Sequence, residues 1–296
     1  MAIRRQAKPR LACEITSQNV IAARAKGDAK GLDVHTLRRL DGNMIRPALT
    51  PGNVSNPAAL GQAVESALSA VGGRKRDVIL VLPDAAVRVL LMDFDALPDK
   101  FAEAEPIVRF RLRKSVPFDA DQAALSFQIY RKQSAVKVLA AITPREVLSE
   151  YESPFRTAGY EPGIVLPSTL AALNAIEADR PTLVVKIDQN FISVVIADQN
   201  EVVFYRMLDS SANRTGMAVA DDVYPSIVFF EDNYSSKIER ILLISSANVD
   251  DLRAALAEQT GVGAEDFDPR VELGESLSGE QISTSALAGV AGVLTH

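Results

Sequence analysis

Asp77-Val-Ile-Leu-Val-Leu82 is followed by Pro83-Asp84, Val87-Arg-Val-Leu-Leu-Met92 and Asp93-Phe-Asp-Ala-Leu-Pro98. A charged segment with Arg109, Arg111, Arg113 and Lys114 comes next, then the stop Val116-Pro117-Phe118-Asp119 and the alternating run Leu125-Ser-Phe-Gln-Ile-Tyr130. The order of these pieces decides the fold. Five consecutive apolar residues at 78–82 suit a strand covered on both faces. The break at Pro83-Asp84 opens a smaller unit: a strand at 87–92, a helix at about 99–115, and a hairpin of 125–130 and 136–142 around Lys132-Gln-Ser134. Phe101, Val108, Leu112 and Ser115/Val116 share one side of that helix. Proline is tolerated only near the start of regular helix, so Pro106 allows a start as late as Glu105. Pro144 opens a further helix, Arg145 to Thr157, closed by Gly159. The alternation in these strands predicts one covered and one wet face. Nothing in the stretch looks catalytic.

Upstream, Leu11, Cys13 and Ile15 alternate with Ala12, Glu14 and Thr16, which predicts a strand. Ser17-Gln18-Asn19 offers a turn, Val20 to Arg24 a return strand, and Val34 to Leu40 a third strand. Asn56-Pro57 opens a helix with the apolar stripe Leu60, Val64, Leu68 and Val71, and Gly72-Gly73 ends it beside Arg74-Lys-Arg76. Downstream, Ile164 to Ile176 reads as a helix through Leu166, Leu170 and Leu173. The meander then returns: 182–187, a turn at Asp188-Gln-Asn190, 191–196, a turn at Asp198-Gln-Asn200, and 202–206. A long helical stretch runs from about Thr215 to Tyr234, with Pro225 bending or interrupting it. The strand Arg240 to Ile244, a helix from Val249 to Gln259 closed by Gly261, and a last helix from about Thr284 to Leu294 complete the chain. Two halves therefore share one plan: three-strand meander, helix, buried strand. The expected fold class is α/β, a duplicated domain, with 1–83 as a first unit completed by about 163–180, a small α+β insertion at 84–162, and 181–296 as a second unit.

Composition excludes several functions. The 296 residues carry 32 Lys and Arg against 38 Asp and Glu, a net charge of −6 that disfavours nucleic acid. Cys13 is the only cysteine, which rules out an internal disulfide and a cysteine-rich zinc site. Of the histidines, His35 and His296, the second is the terminal residue, so a histidine metal site or a Ser-His triad would rest on His35 alone. No apolar run reaches the roughly 18 residues that span a bilayer. Met1 to Arg10 has four basic residues and no apolar core, so it reads as a solvated tail rather than a signal peptide, with weak contact to an anionic membrane surface as the sharper alternative.

A duplicated meander-plus-helix domain with an insertion in its first half resembles the actin-like ATPase superfamily of ribonuclease H-like fold. Val81-Leu-Pro83, Leu97-Pro98, Val116-Pro117-Phe118, the strand ending in Tyr130, Tyr160-Glu-Pro162, Leu166-Pro and the closing Ala286-Leu-Ala-Gly-Val-Ala-Gly292 narrow the resemblance to the PilM-like proteins of type IV pilus assembly, relatives of the cell-division protein FtsA. The family's phosphate loops read Asp-x-Gly. Their glycines let backbone N–H groups reach phosphate and their aspartates position Mg²⁺. Here the matching positions are Glu14 and Thr16 in the first hairpin, and Lys186 and Asp188 in the second. Ile21 stands near a lysine position, Asp209-Ser-Ser211 replaces a Gly-Gly pair, and Ser245-Ser246 replaces the adenosine-side pair. Two like charges about 4 Å apart cost roughly 1 kcal/mol in water and about 4 kcal/mol at an effective dielectric of 20. Lys186 and Asp188 either form a salt bridge filling the cleft or are solvated turn residues. No cofactor, metal or catalytic residue is expected, with Mg-ATP binding and hydrolysis as the alternative.

The resemblance implies a non-catalytic cytoplasmic scaffold held to the inner membrane through a partner. It implies that the partner is a PilN-like single-span protein whose cytoplasmic tail lies in a groove between the first domain and the insertion. Arg109, Arg111, Arg113 and Lys114 are candidates for its polar rim, and Phe110 and Phe118 for apolar anchors. The competing reading makes the phenylalanines core and the basic residues a wet helix face. Other pilus proteins and a homo-oligomer remain open as partners. The alternative of a type II secretion scaffold module would normally continue into a membrane span.

Overall fold

A computed structural model describes residues 8–73, 75–132, 135–210, 214–279 and 282–295. The first meander is β1 (Leu11–Ile15), β2 (Asn19–Ala25) and β3 (Leu32–Arg39). Helix α1 (Pro57–Val71) crosses to β4 (Asp77–Leu82), which lies parallel to β1, and β8 (Glu161–Pro167) lies parallel to β4. The second half repeats this plan. Strands β9 (Thr182–Ile187), β10 (Phe191–Asp198) and β11 (Glu201–Asp209) form the meander. Helix α5 (Gly216–Tyr234) crosses to β12 (Arg240–Ile244), and α6 (Asp250–Thr260) to β13 (Ala264–Asp266). The spatial orders β3-β2-β1-β4-β8 and β11-β10-β9-β12-β13 are the same, so the duplication expected from the pattern is present in the topology.

Local chemistry sets the helix ends. Asn56 Oδ1 accepts the Ala59 amide at 3.1 Å and Pro57 takes the first position of α1. Thr215 caps α5 through the Ala218 amide, and α5 runs continuously through Pro225. Gly261, at φ +73, ends α6 in the left-handed region.

The insertion is a three-stranded antiparallel sheet, β5 (Arg88–Phe94), β7 (Ala135–Thr143) and β6 (Ala124–Lys132), in the order β5-β7-β6. Helix α2 (Phe101–Leu112) covers one face of it through Ala104, Val108 and Leu112. Pro106 lies inside α2, which starts at Phe101 and not at Glu105. The Glu103 and Ala104 amides both donate to the Lys100 carbonyl at 3.0 Å, so α2 is started ahead of Pro106, which removes only its own amide's bond. Phe101 is not on the buried side: it is 52% exposed and stacks on Phe127, centroids 4.5 Å apart.

Other details differ from those expectations. The helix read over Ile164–Ile176 is strand β8 followed by the short helix α4 (Ser168–Leu173). Pro162 and Pro167 lack amide donors and are tolerated because β8 is an edge strand. All five residues of β1 are buried, because α1 covers one face of the first sheet and α7 (Ala288–Thr295) the other. The last helix is split, with a 3₁₀ turn at Thr284–Leu287 before α7. The segment after Phe267, read as part of 181–296, returns to the first half: β14 (Glu275–Ser276) pairs with β3, and His35 Nδ1 lies 2.8 Å from the Leu273 carbonyl. Helix α3 (Arg145–Thr157) also lies against α1, which confines the inserted sheet to 88–143. The first seven residues, Arg74, Gln133 and Ser134 of the expected turn, Ser211 and His296 lie outside the described residues. No described helix is long and apolar enough to cross a membrane.

Candidate functional site

The two meander hairpins face each other where the halves meet. Glu14 comes from β1, Lys186 from the end of β9, and Asp188 from the turn after it. Asp84 sits in the 3₁₀ turn Asp84–Ala86 that follows β4. Lys186 Nζ lies 3.7 Å from Asp84 Oδ2 and 3.5 Å from Asp188 Oδ2. Lys186 is 8% exposed, Glu14 3% and Asp84 0%. The second of the two readings of Lys186, a solvated turn residue, is therefore wrong: the side chain turns inward because three carboxylates converge there.

Asp84 is saturated. Its Oδ1 accepts the Thr169 amide at 2.8 Å, and its Oδ2 accepts the Thr169 hydroxyl and, at 3.1 Å, the Ser193 hydroxyl. These bonds join the exit of β4 to α4 and β10. Glu14 is less well served. Ser168 Oγ is hydrogen-bonded to Glu14 Oε1, while buried Oε2 has no partner among the described residues and rests against Gly289 of α7. Burial raises the Glu14 pKa to about 7, against the opposing pull of Lys186 and Ser168. Burial pulls the Lys186 ammonium down, yet Asp84, Asp188 and Glu14 outweigh it and hold the pKa above its ordinary value.

A cavity of about 230 Å³ opens beside this cluster. Glu14, Thr16, Lys186, Asp188, Ser245 and Ser246 all line it, so these six positions of the degenerate loops are brought to one place, whereas Asp209 and Ser210 do not line it. Ile21 lines it too. Thr16 closes its own turn, with Oγ1 accepting the Asn19 amide at 2.9 Å. Ser245 Oγ accepts the Ala247 amide at 3.1 Å. Asp84, Ser168, Thr169 and Ser193 complete the cluster and were not singled out from sequence. The one signal available is an aspartate one proline beyond an uninterrupted apolar strand.

The residues expected at a partner groove are less united. Arg109 is a brace: it pairs with Glu105 at 2.7 Å and donates to the Ala120 carbonyl and, at 3.0 Å, the Ala123 carbonyl. Phe118 packs at the edge of the α2 core. Phe110 is 65% exposed, with the Arg113 guanidinium 5.5 Å over its ring, and Arg111 and Lys114 are exposed. Arg113 also pairs with Asp121 at 2.8 Å. An apolar groove of about 160 Å³ does separate the first sheet from the insertion, but Leu82, Val87, Leu125, Leu148 and Leu166 line it, and none of the α2 residues does.

No family model matches the sequence, and no curated protein matches it. Among solved structures, a chain of a PilM-PilN type IV pilus biogenesis complex is similar over 97% of this chain and 98% of that one, with TM-score 0.76 and 21% identity. The cytoplasmic domain of EpsL, an inner-membrane component of the type II secretion system of Vibrio cholerae, is similar over 97% and 94%, with TM-score 0.55 and 11% identity. A protein of actin-like ATPase fold and unknown function from Bacteroides thetaiotaomicron gives TM-score 0.55 at 7% identity over 96% and 94%. The chain has the actin-like fold.

Proposed function

We propose that this chain is a non-catalytic scaffold of a type IV pilus inner-membrane assembly complex, holding the cytoplasmic tail of a PilN-like single-span partner. The observation that carries the reading is the end-to-end similarity, at TM-score 0.76, to a chain of a PilM-PilN complex. The cleft supports the non-catalytic part. Mg-ATP needs carboxylates free to hold a cation and glycines that let amides approach phosphate. Here an internal ammonium lies among the carboxylates, and Thr16 and Asp188 stand at the glycine positions. These residues do not fit Mg-ATP. The tail's place in this reading is the apolar groove lined by Leu82, Leu125, Leu148 and Leu166. Localisation at the inner membrane then follows from the partner.

The test is fluorescence anisotropy with labelled synthetic tails of single-span proteins encoded beside this chain. Micromolar binding that weakens at least tenfold with Leu125→Glu supports the reading. Absence of binding by every tail removes it. The EpsL likeness, also end to end, favours a second reading as a type II secretion scaffold module, which predicts binding to secretion rather than pilus components.

A further inference from the structure

Seven of the eight exposed large apolar side chains among the described residues lie on two helices, three on α2 and four on α5. Single exposed apolar residues are ordinary, whereas a clustered group rimmed by charge marks an interaction surface. Both groups form stripes at helical spacing. On α2, Ile107 and Phe110 are three residues apart on the face turned away from buried Val108 and Leu112. On α5, Met217, Tyr224 and Val228 follow at i, i+7 and i+11, with exposed Asp221 and Asp232 in the same stripe.

The two stripes carry opposite charge. Residues 109–114 hold four cations and no acid. Arg109 and Arg113 are paired within the chain, with Glu105 and Asp121, which leaves Arg111 and Lys114 exposed. α5 holds four acids and no cation. Asp222 is paired with Arg214, whereas Asp221, bonded to neutral Gln259, and Asp232 have no ion pair among the described residues. These complementary stripes cannot meet within one molecule. Lys137 of β7 donates to the Tyr234 hydroxyl at the end of α5 at 2.7 Å, while its neighbours Val136 and Val138 pack into the α2 core. Successive strand residues face opposite ways, so the inserted sheet stands between α2 and that end of α5.

We infer that the outer face of α2 docks on the α5 stripe of a second copy of this chain, apolar stripe on apolar stripe, with Arg111 and Lys114 against the α5 acids. The contact is heterologous, so a pair of copies retains one unused α2 face and one unused α5 face. α2 has 12 residues and is about 18 Å long at 1.5 Å per residue. A contact of that length is small, and the association it supports is weak and concentration-dependent. This inference does not rest on the tail-binding reading, which uses a different groove.

The test is sedimentation velocity of the full chain over a range of concentrations. The expected result is self-association at roughly 100 μM in about 150 mM salt, severalfold weaker in about 500 mM salt because exposed charges are screened. Phe110→Asp spoils the α2 face and Tyr224→Asp the α5 face, and each variant alone should associate at least tenfold more weakly. An equimolar mixture of the two should recover association and stop at the dimer, because one intact α2 face then meets one intact α5 face. Thermal unfolding checks that both variants, changed at exposed positions, fold; Phe110→Ser and Tyr224→Ser serve in their place if they do not. Association that ignores salt overturns the charge argument. No recovery in the mixture, or a variant that associates as the parent does, overturns the pairing of α2 with α5. A chain that stays monomeric at every concentration overturns the inference as a whole.

Discussion

Lys186 Nζ lies 3.7 Å from Asp84 Oδ2, and this contact spans the two halves of the molecule. Asp84 leaves the first sheet at the end of β4, whereas Lys186 ends the first strand of the second. Breaking a buried pair from one side leaves an unpaired charge and costs about 3–5 kcal/mol. Lys186→Met should lower unfolding stability in urea by that amount. Asp84→Asn combined with Lys186→Met should be less damaging than the sum of the two, by about 1 kcal/mol or more. Additive losses would mean that the two side chains are energetically independent.

Glu14 sets a pH dependence in the opposite sense to an ordinary ion-paired carboxylate. Its folded pKa of about 7 lies above its ordinary 4.5, so between these values the folded state holds a proton that the unfolded state releases. Stability therefore falls as pH rises through that window, by roughly 3 kcal/mol at most. Lys186, raised, stays charged throughout the window and adds no slope. Glu14→Gln should flatten the profile and narrow the gap between stability at pH 5 and at pH 8. An unchanged slope in the variant would assign the dependence to another group.

Two glycines let α7 approach its neighbours. A methyl group on Gly289 would meet Glu14 Oε2, and one on Gly292 would meet the Ala171 carbonyl of α4. Backbone yields less readily than a carboxylate side chain. Gly292→Ala should cost about 1–3 kcal/mol and Gly289→Ala less, read by thermal unfolding. The reverse order would place the rigid contact at Glu14.

Much of this architecture is legible in the sequence because it rests on period and punctuation. The apolar run 78–82, the two meanders and the caps at Asn56 and Gly261 each carry a local signal, and the structure holds all of them. What misleads is tertiary. Leu166, Leu170 and Leu173 have helical spacing, yet Pro162 and Pro167 sit in an edge strand whose position only the sheet order reveals. The cleft residues Glu14, Lys186 and Asp188 are found by analogy of hairpins. Asp84 and Ser193 are not, because their role depends on bringing together residues 109 positions apart.

The cleft reading extends to nucleotide. A site with ligand at 100 times its Kd gains about 2.7 kcal/mol of stability. Titration with MgATP should leave the melting temperature unchanged, and phosphate release should stay at background. A clear rise in melting temperature would show that the Lys186 cluster rearranges to admit nucleotide, and the non-catalytic reading would then have to be abandoned or tested by hydrolysis alone.

Arg109 and Phe110 are neighbours in sequence with opposite expected behaviour. Arg109 clamps the Ala120 and Ala123 carbonyls, so Arg109→Ala leaves two acceptors short and should cost about 1–3 kcal/mol. Phe110, 65% exposed, is different: Phe110→Ser should change stability by about 0.5 kcal/mol or less. Urea unfolding of both variants measures this contrast, and tail anisotropy separates two placements of the partner. If the tail occupies the Leu125 groove, Phe110→Ser leaves its affinity intact, because Phe110 does not line that groove. A tenfold loss with Phe110→Ser at unchanged stability would instead run the tail across the outer face of α2, with Arg111 and Arg113 on its rim, and Leu125→Glu would then be the silent variant.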